Sequence, residues 1–352
     1  MNRETTSVRA GEEISVEGLS RYIESKSNLP AGEVSIEQFP AGSSNLTYLV
    51  RIGSEEFVLR RPPFGNTVKT AHDMKRECEV LSLLSEVYQP APKPVLLCDD
   101  DSVIGSQFYL MERRHGLIIR GRAPDELEKS PQLRLPVCTG FIRNLAHLHS
   151  LDYKAAGLGD LGQPEGYCRR QVEGWRKRYV ASKTHDWIEL ERVTEWLAQN
   201  IPAESGASLV HNDYKFDNLM LDPNDLTKIT AVLDWEMVTV GDPLMDLGTT
   251  LGYWMSKDAG DEMLSMPFNP RVLMENVSRR ELAEIYSAVS GRDVSNILFY
   301  YVFGTFKIAV IAQQIYARFV KGFTQDRRFA NFDKFVSRLG TIASGAIDRD
   351  AI

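Results

Sequence analysis

The sequence predicts an α+β protein with an antiparallel N-lobe and a mainly helical C-lobe. Up to residue 112 the pattern runs strand, strand, strand, helix, strand, strand, and from Glu126 onward helical periodicity dominates. A third observation is the stretch 209–235, where two short apolar strands and a polar turn interrupt the helices. The predicted division is 1–112 for the N-lobe and 113–352 for the C-lobe.

Composition narrows the class. A chain of 352 residues suits one large or two modest domains. With 43% apolar and 25% charged residues it reads as a soluble globular protein, and a net charge of −7 argues against a nucleic-acid partner. Cys78, Cys98, Cys138 and Cys168 are far apart and form no C-x-x-C pair, so they read as free thiols rather than a zinc site or a disulfide framework. The N-terminal MNRETTSVRAGEE lacks the apolar core of a secretory signal. Residues 294–317 are apolar, but Lys307 interrupts them, and they read as a buried helix pair rather than a membrane span. These features predict a cytoplasmic protein with no membrane partner. They leave the oligomeric state open.

The N-lobe elements follow in order. Val16, Leu19, Tyr22 and Ile23 fall at helical spacing over 16–24. Residues 34–39 alternate like a strand and lead into a second strand through the small residues Ala41, Gly42, Ser43, Ser44 and Asn45. Small side chains let backbone N–H groups approach an anion, so this turn is either a flap over phosphates or an ordinary hairpin turn. A third strand ends in Arg60 and Arg61, on opposite faces, before two prolines. Kinases carry a phosphate-pairing cation in a V-A-I-K pattern on this strand. Phe57-Val-Leu-Arg60 fits with Arg in place of Lys, and Arg61 is the rival. Helical periodicity over 70–87 offers Glu77 or Glu79 to orient that cation. Glu77 is preferred because it lies one turn before the apolar positions Leu81 and Leu84. Two further strands follow, 95–98 and 108–112. Met111 and Glu112 with Arg113 form a predicted hinge whose backbone would bind adenine.

The C-lobe opens on an amphipathic helix over 132–150. His147 and His149 are two apart and point to different faces, which makes a poor metal pair. Residues 167–183 carry Arg169, Arg170, Arg176, Lys177, Arg178 and Lys183, either a solvated face or a wall for an anionic acceptor. A helix over 187–200 follows, and 279–347 read as helical.

The chemistry concentrates in 209–235. His211, Asp213 and Asn218 spell H-x-D-x-x-x-x-N, placed in a loop after a strand. In kinases the Asp of this loop accepts the acceptor hydroxyl's proton and the Asn holds Mg²⁺. The hairpin that follows is predicted to bring Asn218 near Asp234, and two oxygen ligands suit Mg²⁺. Lys215 is placed to neutralise the γ-phosphate in transfer. His211 is expected to hold the loop.

His211-Asn-Asp-Tyr-Lys-Phe-Asp-Asn218, Leu233-Asp-Trp-Glu236 and Gly241-Asp-Pro-Leu-Met-Asp-Leu247 resemble motifs of the aminoglycoside phosphotransferase and choline kinase-like family. The resemblance covers about residues 30–325. It implies a protein-kinase-like bilobal fold and transfer of the ATP γ-phosphate to a small-molecule hydroxyl. By the resemblance, Asp213 is the base and Asn218 and Asp234 bind Mg²⁺. Ser44 and Asn45 lie over the phosphates, and Asp246 braces the loop. Two departures stand out: Asn212 where the family more often has Gly, and Arg60 in place of Lys. Both occur in the branch similar to the kinase domain fused to some acyl-CoA dehydrogenases, which implies a hydroxyacyl-CoA acceptor. A cationic aminoglycoside would want an acidic pocket, and no acidic cluster stands out in the helical half. A protein kinase is disfavoured because Trp235-Glu236 follows Asp234 and no Ala-Pro-Glu element appears. A silent nucleotide-binding scaffold is the non-enzyme alternative.

Overall fold

The computed structural model describes residues 4–26, 29–40, 45–64 and 73–352. Ser43 and Ser44, predicted over the phosphates, lie outside the described residues. The chain forms two compact units, Met1–His115 with Ala231–Glu236, and Gly116–Thr230 with Met237–Ile352. A single boundary at residue 112 does not represent the six residues that rejoin the first unit.

The first unit is built on a five-stranded antiparallel sheet. Its strands are β1 (Val34–Gln38), β2 (Leu46–Ile52), β3 (Glu55–Arg61), β4 (Pro94–Cys98) and β5 (Phe108–Glu112), in the order β1-β2-β3-β5-β4. Period-two alternation sorts their side chains between two faces. One face, with Tyr48, Val50, Leu59, Phe108 and Leu110, packs with Leu19 and Ile23 of α1 (Val16–Glu24). Each such side chain stabilises by about 1.5–3 kcal/mol when fully buried. Ser15 caps α1 by accepting from the Gly18 N–H at 2.9 Å. Helix α2 (Met74–Leu84) packs against β4 and β5. Its start is fixed by Asp73, which accepts from the Arg76 N–H. Leu81 and Leu84 are buried on the same helix as Glu77.

The second unit holds ten helices among the described residues. They are α3 (Asp125–Lys129), α4 (Pro131–Ser150), α5 (Tyr167–Ser182), α6 (Ile188–Gln199), α7 (Pro243–Gly252), α8 (Asp261–Leu264), α9 (Arg271–Met274), α10 (Arg279–Ser290), α11 (Ile297–Val320) and α12 (Phe332–Arg349). The expected helix pair over 294–317 is instead the single 24-residue helix α11. No turn residue breaks the run, because Gly304 serves close packing. A Cβ at Gly304 would meet the Gly248 carbonyl, and one at Gly248 would meet the Tyr300 carbonyl, so α7 and α11 touch backbone to backbone. Helix α11 is long and apolar enough to cross a bilayer, yet 78% of its most apolar window is buried in the protein. All four cysteines are buried and free.

Strand β6 (Ser208–Val210) pairs antiparallel with β9 (Thr239–Gly241), and β7 (Leu219–Asp222) pairs with β8 (Asp225–Val232). The loop between β6 and β7 carries the H-x-D-x-x-x-x-N residues.

Candidate active site

In the first unit, β3 points Arg60 toward α2, where it meets Glu77. The Arg60 Nε lies 3.4 Å from Glu77 Oε1, and its Nη2 donates to Asp234 Oδ1 at 3.0 Å. Arg60 is 9% exposed and Glu77 3%. Burial pushes the Glu77 carboxyl up, and Arg60 offsets this only in part. Burial opposes the charge on Arg60, but Glu77 and Asp234 outweigh it and keep the guanidinium firmly protonated. Glu79 is 62% exposed and faces Lys75, so the helical phase selects Glu77. The rival Arg61 turns to the opposite face, is 2% exposed, and donates to the Ile104 carbonyl. Asn45 is buried and donates through Nδ2 to Glu236 at 3.1 Å, while its Oδ1 is buried without a hydrogen-bond partner. Met111 pairs with Val58 of β3 and Pro94 of β4, and the Glu112 N–H donates to the Lys93 carbonyl at 2.9 Å. The Glu112 N–H is thus already engaged within the sheet region, a point strand propensity does not reveal.

In the second unit, Asp213, Lys215 and Asn218 come together. Lys215 Nζ pairs with Asp213 Oδ2. Asn218 Nδ2 donates to Oδ2 at 2.8 Å and to the Asp213 carbonyl at 2.9 Å. Tyr253, at the end of α7, donates its hydroxyl to Oδ1 at 2.8 Å. Burial would raise the Asp213 pKa, but Lys215, Tyr253 and His211 together bring it below the usual carboxylate value. Asp213 therefore stays ionised at neutral pH and presents an oriented acceptor for a proton.

The backbone that holds Asp213 is itself unusual. Asn212 has φ +67°, the left-handed region that costs a side-chain-bearing residue about 1–2 kcal/mol. Asn tolerates it better than most, which explains how it stands where glycine is common. Asp234 shares the same φ of +67°. Asp246 on α7 accepts the N–H groups of His211 and Asn212, each at 2.7 Å. Behind it His149 contacts Asp246 Oδ2 at 3.1 Å and the Tyr286 hydroxyl at 2.7 Å. Since an ionised Asp246 only accepts, Nε2 carries the proton that faces it. Of the two histidines on α4, His149 alone is buried. His211 Nδ1 accepts from the Asp213 N–H at 3.2 Å, which holds the loop as expected.

Tyr253 was not signalled by the sequence pattern, nor was the pairing of Glu236 with Asn45. Tyr253 comes from a distant helix end, and only the fold brings it to Asp213.

A kinase-like α+β fold, a buried strand cation paired with a helix carboxylate, and an oriented ionised aspartate define a phosphotransferase. The chain is 35% identical over 314 residues to acyl-CoA dehydrogenase family member 11 of Gallus gallus, covering 88% of this chain but 40% of that protein. The chain thus spans about two fifths of the length of that relative. A Ralstonia eutropha JMP134 protein assigned as an aminoglycoside phosphotransferase superposes with a TM-score of 0.79 at 30% identity, over 95% of this chain and 99% of the other. The choline kinase of Cryptosporidium parvum shares the fold, with a TM-score of 0.62 at 14% identity over 95% and 96% of the two chains. The chain belongs to the phosphotransferase enzyme family (APH), which matches residues 35–266.

Proposed function

We propose that this protein transfers the γ-phosphate of ATP, with Mg²⁺, to a hydroxyl of a small molecule, and that the acceptor is a hydroxyacyl-CoA. The observation that carries the reading is Asp213, held ionised and aimed by Lys215, Asn218 and Tyr253. In this reading Asp213 takes the proton as the acceptor oxygen attacks phosphorus. Lys215 stabilises the phosphoryl group in transfer. Arg60, oriented by Glu77, meets the nucleotide phosphates, with Asn45 beside them. Met111 and Glu112 border the adenine.

The donor chemistry fits a hard cation. Asn218 turns its amide nitrogen to Asp213, which leaves its oxygen as the ligand, and the Asp234 side chain is 29% exposed beside Arg60. Asn218 and Asp234 are the residues this reading assigns to Mg²⁺, which would supply neutralisation of phosphate charge. An aminoglycoside phosphotransferase of this fold has been solved with ADP and hygromycin B, which supports nucleotide use by the same architecture.

Two observations favour the acyl-CoA acceptor over a choline, sugar or aminoglycoside. The relative at 35% identity carries acyl-CoA dehydrogenase in its name. Helix α5 exposes Arg169, Arg176, Lys177 and Arg178, a cationic face suited to the phosphates of coenzyme A. The test is ADP release from Mg-ATP with hydroxyacyl-CoA thioesters, choline, sugars and aminoglycosides in parallel. Turnover with the thioesters is expected, and turnover confined to another class rejects the acceptor. Asp213→Ala should keep the thermal shift given by Mg-ATP and lose transfer. Transfer surviving in that variant would remove Asp213 from its role.

A further inference from the structure

Lys307 is an anomaly in its helix. It is 2% exposed, midway along α11, between the buried residues Phe306 and Ile308. A side chain that merely filled this space would be apolar, since an ammonium taken out of water is costly. Its Nζ donates to the Asn212 carbonyl at 2.7 Å and reaches Asn212 Oδ1 at 3.5 Å. The Trp175 ring of α5 lies 5.7 Å away. Asn212 is the residue in the left-handed conformation, and the next residue is Asp213.

Four attachments converge on this one residue. Asp246 takes its N–H, Lys307 takes its carbonyl, the Met237 carbonyl accepts from its Nδ2 at 3.1 Å, and the Tyr167 hydroxyl lies 3.4 Å from its Oδ1. The carbonyl contact bears most directly on Asp213, because it fixes the peptide plane joining the two residues. A carbonyl held on a cation resists turning of its peptide plane, which steadies the backbone from which the Asp213 side chain leaves.

We propose that Lys307 is a positioning residue for Asp213: it grips the Asn212 carbonyl and holds the left-handed turn that aims the aspartate. The role rests on the phosphotransfer reading for its catalytic meaning, but the turn itself can be measured without turnover. Burial pulls the Lys307 ammonium down to about 8, with Asp246 on α7 and Asp213 in the loop raising it and Lys215 and Arg178 lowering it further. The grip is therefore strongest at and below neutral pH and weakens as pH rises through that value.

The test compares wild type, Lys307→Met and the double variant Asn212→Gly with Lys307→Met. Glycine adopts the left-handed region without strain, so it should restore a turn that has lost its clamp. Amide hydrogen exchange of the 209–216 segment should rise at least about tenfold in Lys307→Met, while the melting temperature falls by less than about 3 °C. ADP release with the best acceptor should fall at least about tenfold in kcat with KM for ATP within about twofold, and the double variant should recover part of both losses. The decline of wild-type kcat near pH 8 should be absent from the double variant. Wild-type exchange and kcat in Lys307→Met would overturn the proposal. So would a parallel collapse of stability and activity that glycine does not relieve, because that marks packing alone. If wild type consumes no ATP with any acceptor, the phosphotransfer reading fails by itself, and the exchange data still decide the lysine.

Discussion

The hydroxyl of Tyr253 donates to Asp213 Oδ1 at 2.8 Å, while the Lys215 ammonium pairs with Oδ2 and stands 5.1 Å from the centre of the Tyr253 ring. One tyrosine thus touches both the aspartate and the lysine beside it. A hydrogen bond to a charged group contributes about 1.5–3 kcal/mol. Tyr253→Phe should therefore lower kcat by roughly tenfold to a hundredfold while leaving KM for ATP nearly unchanged. Steady-state kinetics check it, and an unchanged kcat would mean that Asp213 is aimed without the phenol.

Arg60 and Glu77 are a buried pair, and removing one partner strands the other. Arg60→Met should cost about 3–5 kcal/mol at neutral pH by urea unfolding. Burial raises the folded pKa of Glu77, so stability tied to it is fullest below the unfolded value and falls as pH rises through the folded one. The loss in Arg60→Met should accordingly be smaller at pH 5 than at pH 7.5. Adding Glu77→Gln should recover part of it.

The contact of α7 with α11 has no room for a methyl group at Gly248. Gly248→Ala should destabilise by about 1–3 kcal/mol, read as a lower melting temperature. Since α7 also carries Asp246 and is capped by Tyr253, kcat should fall more than the stability loss alone predicts. Activity intact beside a lowered melting temperature would separate packing from loop support.

Lys307 gives a pH signature for stability. Its folded pKa of about 8 lies below the ordinary lysine value of 10.5, so between those values the unfolded chain binds more protons. Stability should rise with pH across that window, by up to about 3 kcal/mol from this group. Lys307→Met should lack the rise in urea titrations at pH 7.5, 9 and 10.

Much of this was legible in the chain itself. Period-two alternation located the first strand of the first unit, and helical phase distinguished Glu77 from Glu79, because both signals are local. The spacing from His211 to Asn218 marked the loop. Tyr253 and Lys307 were not legible as partners of Asp213 and Asn212, since each arrives on a helix whose placement depends on backbone contact at Gly248 and Gly304. Lys307 was visible only as a charge in an apolar run. The extent of α11 was misread because polar residues interrupting an apolar stretch do not say whether one helix or two covers it. The engagement of the Glu112 N–H depends on Lys93 meeting it from β4's approach, which no local pattern encodes.

Asp234 sits in the six residues that leave the second unit's sequence and belong to the first. A gene fragment ending at residue 115 would therefore encode the β-sheet with Arg60 and Glu77 but not the aspartate that Arg60 binds. Expression of that fragment alone would yield an arginine without one of its two carboxylates. Complementation with a peptide spanning 231–236 would be needed to restore the trio. Recombination of this chain at a single crossover after residue 115 would break it in the same way, whereas a crossover pair flanking both segments would keep it whole.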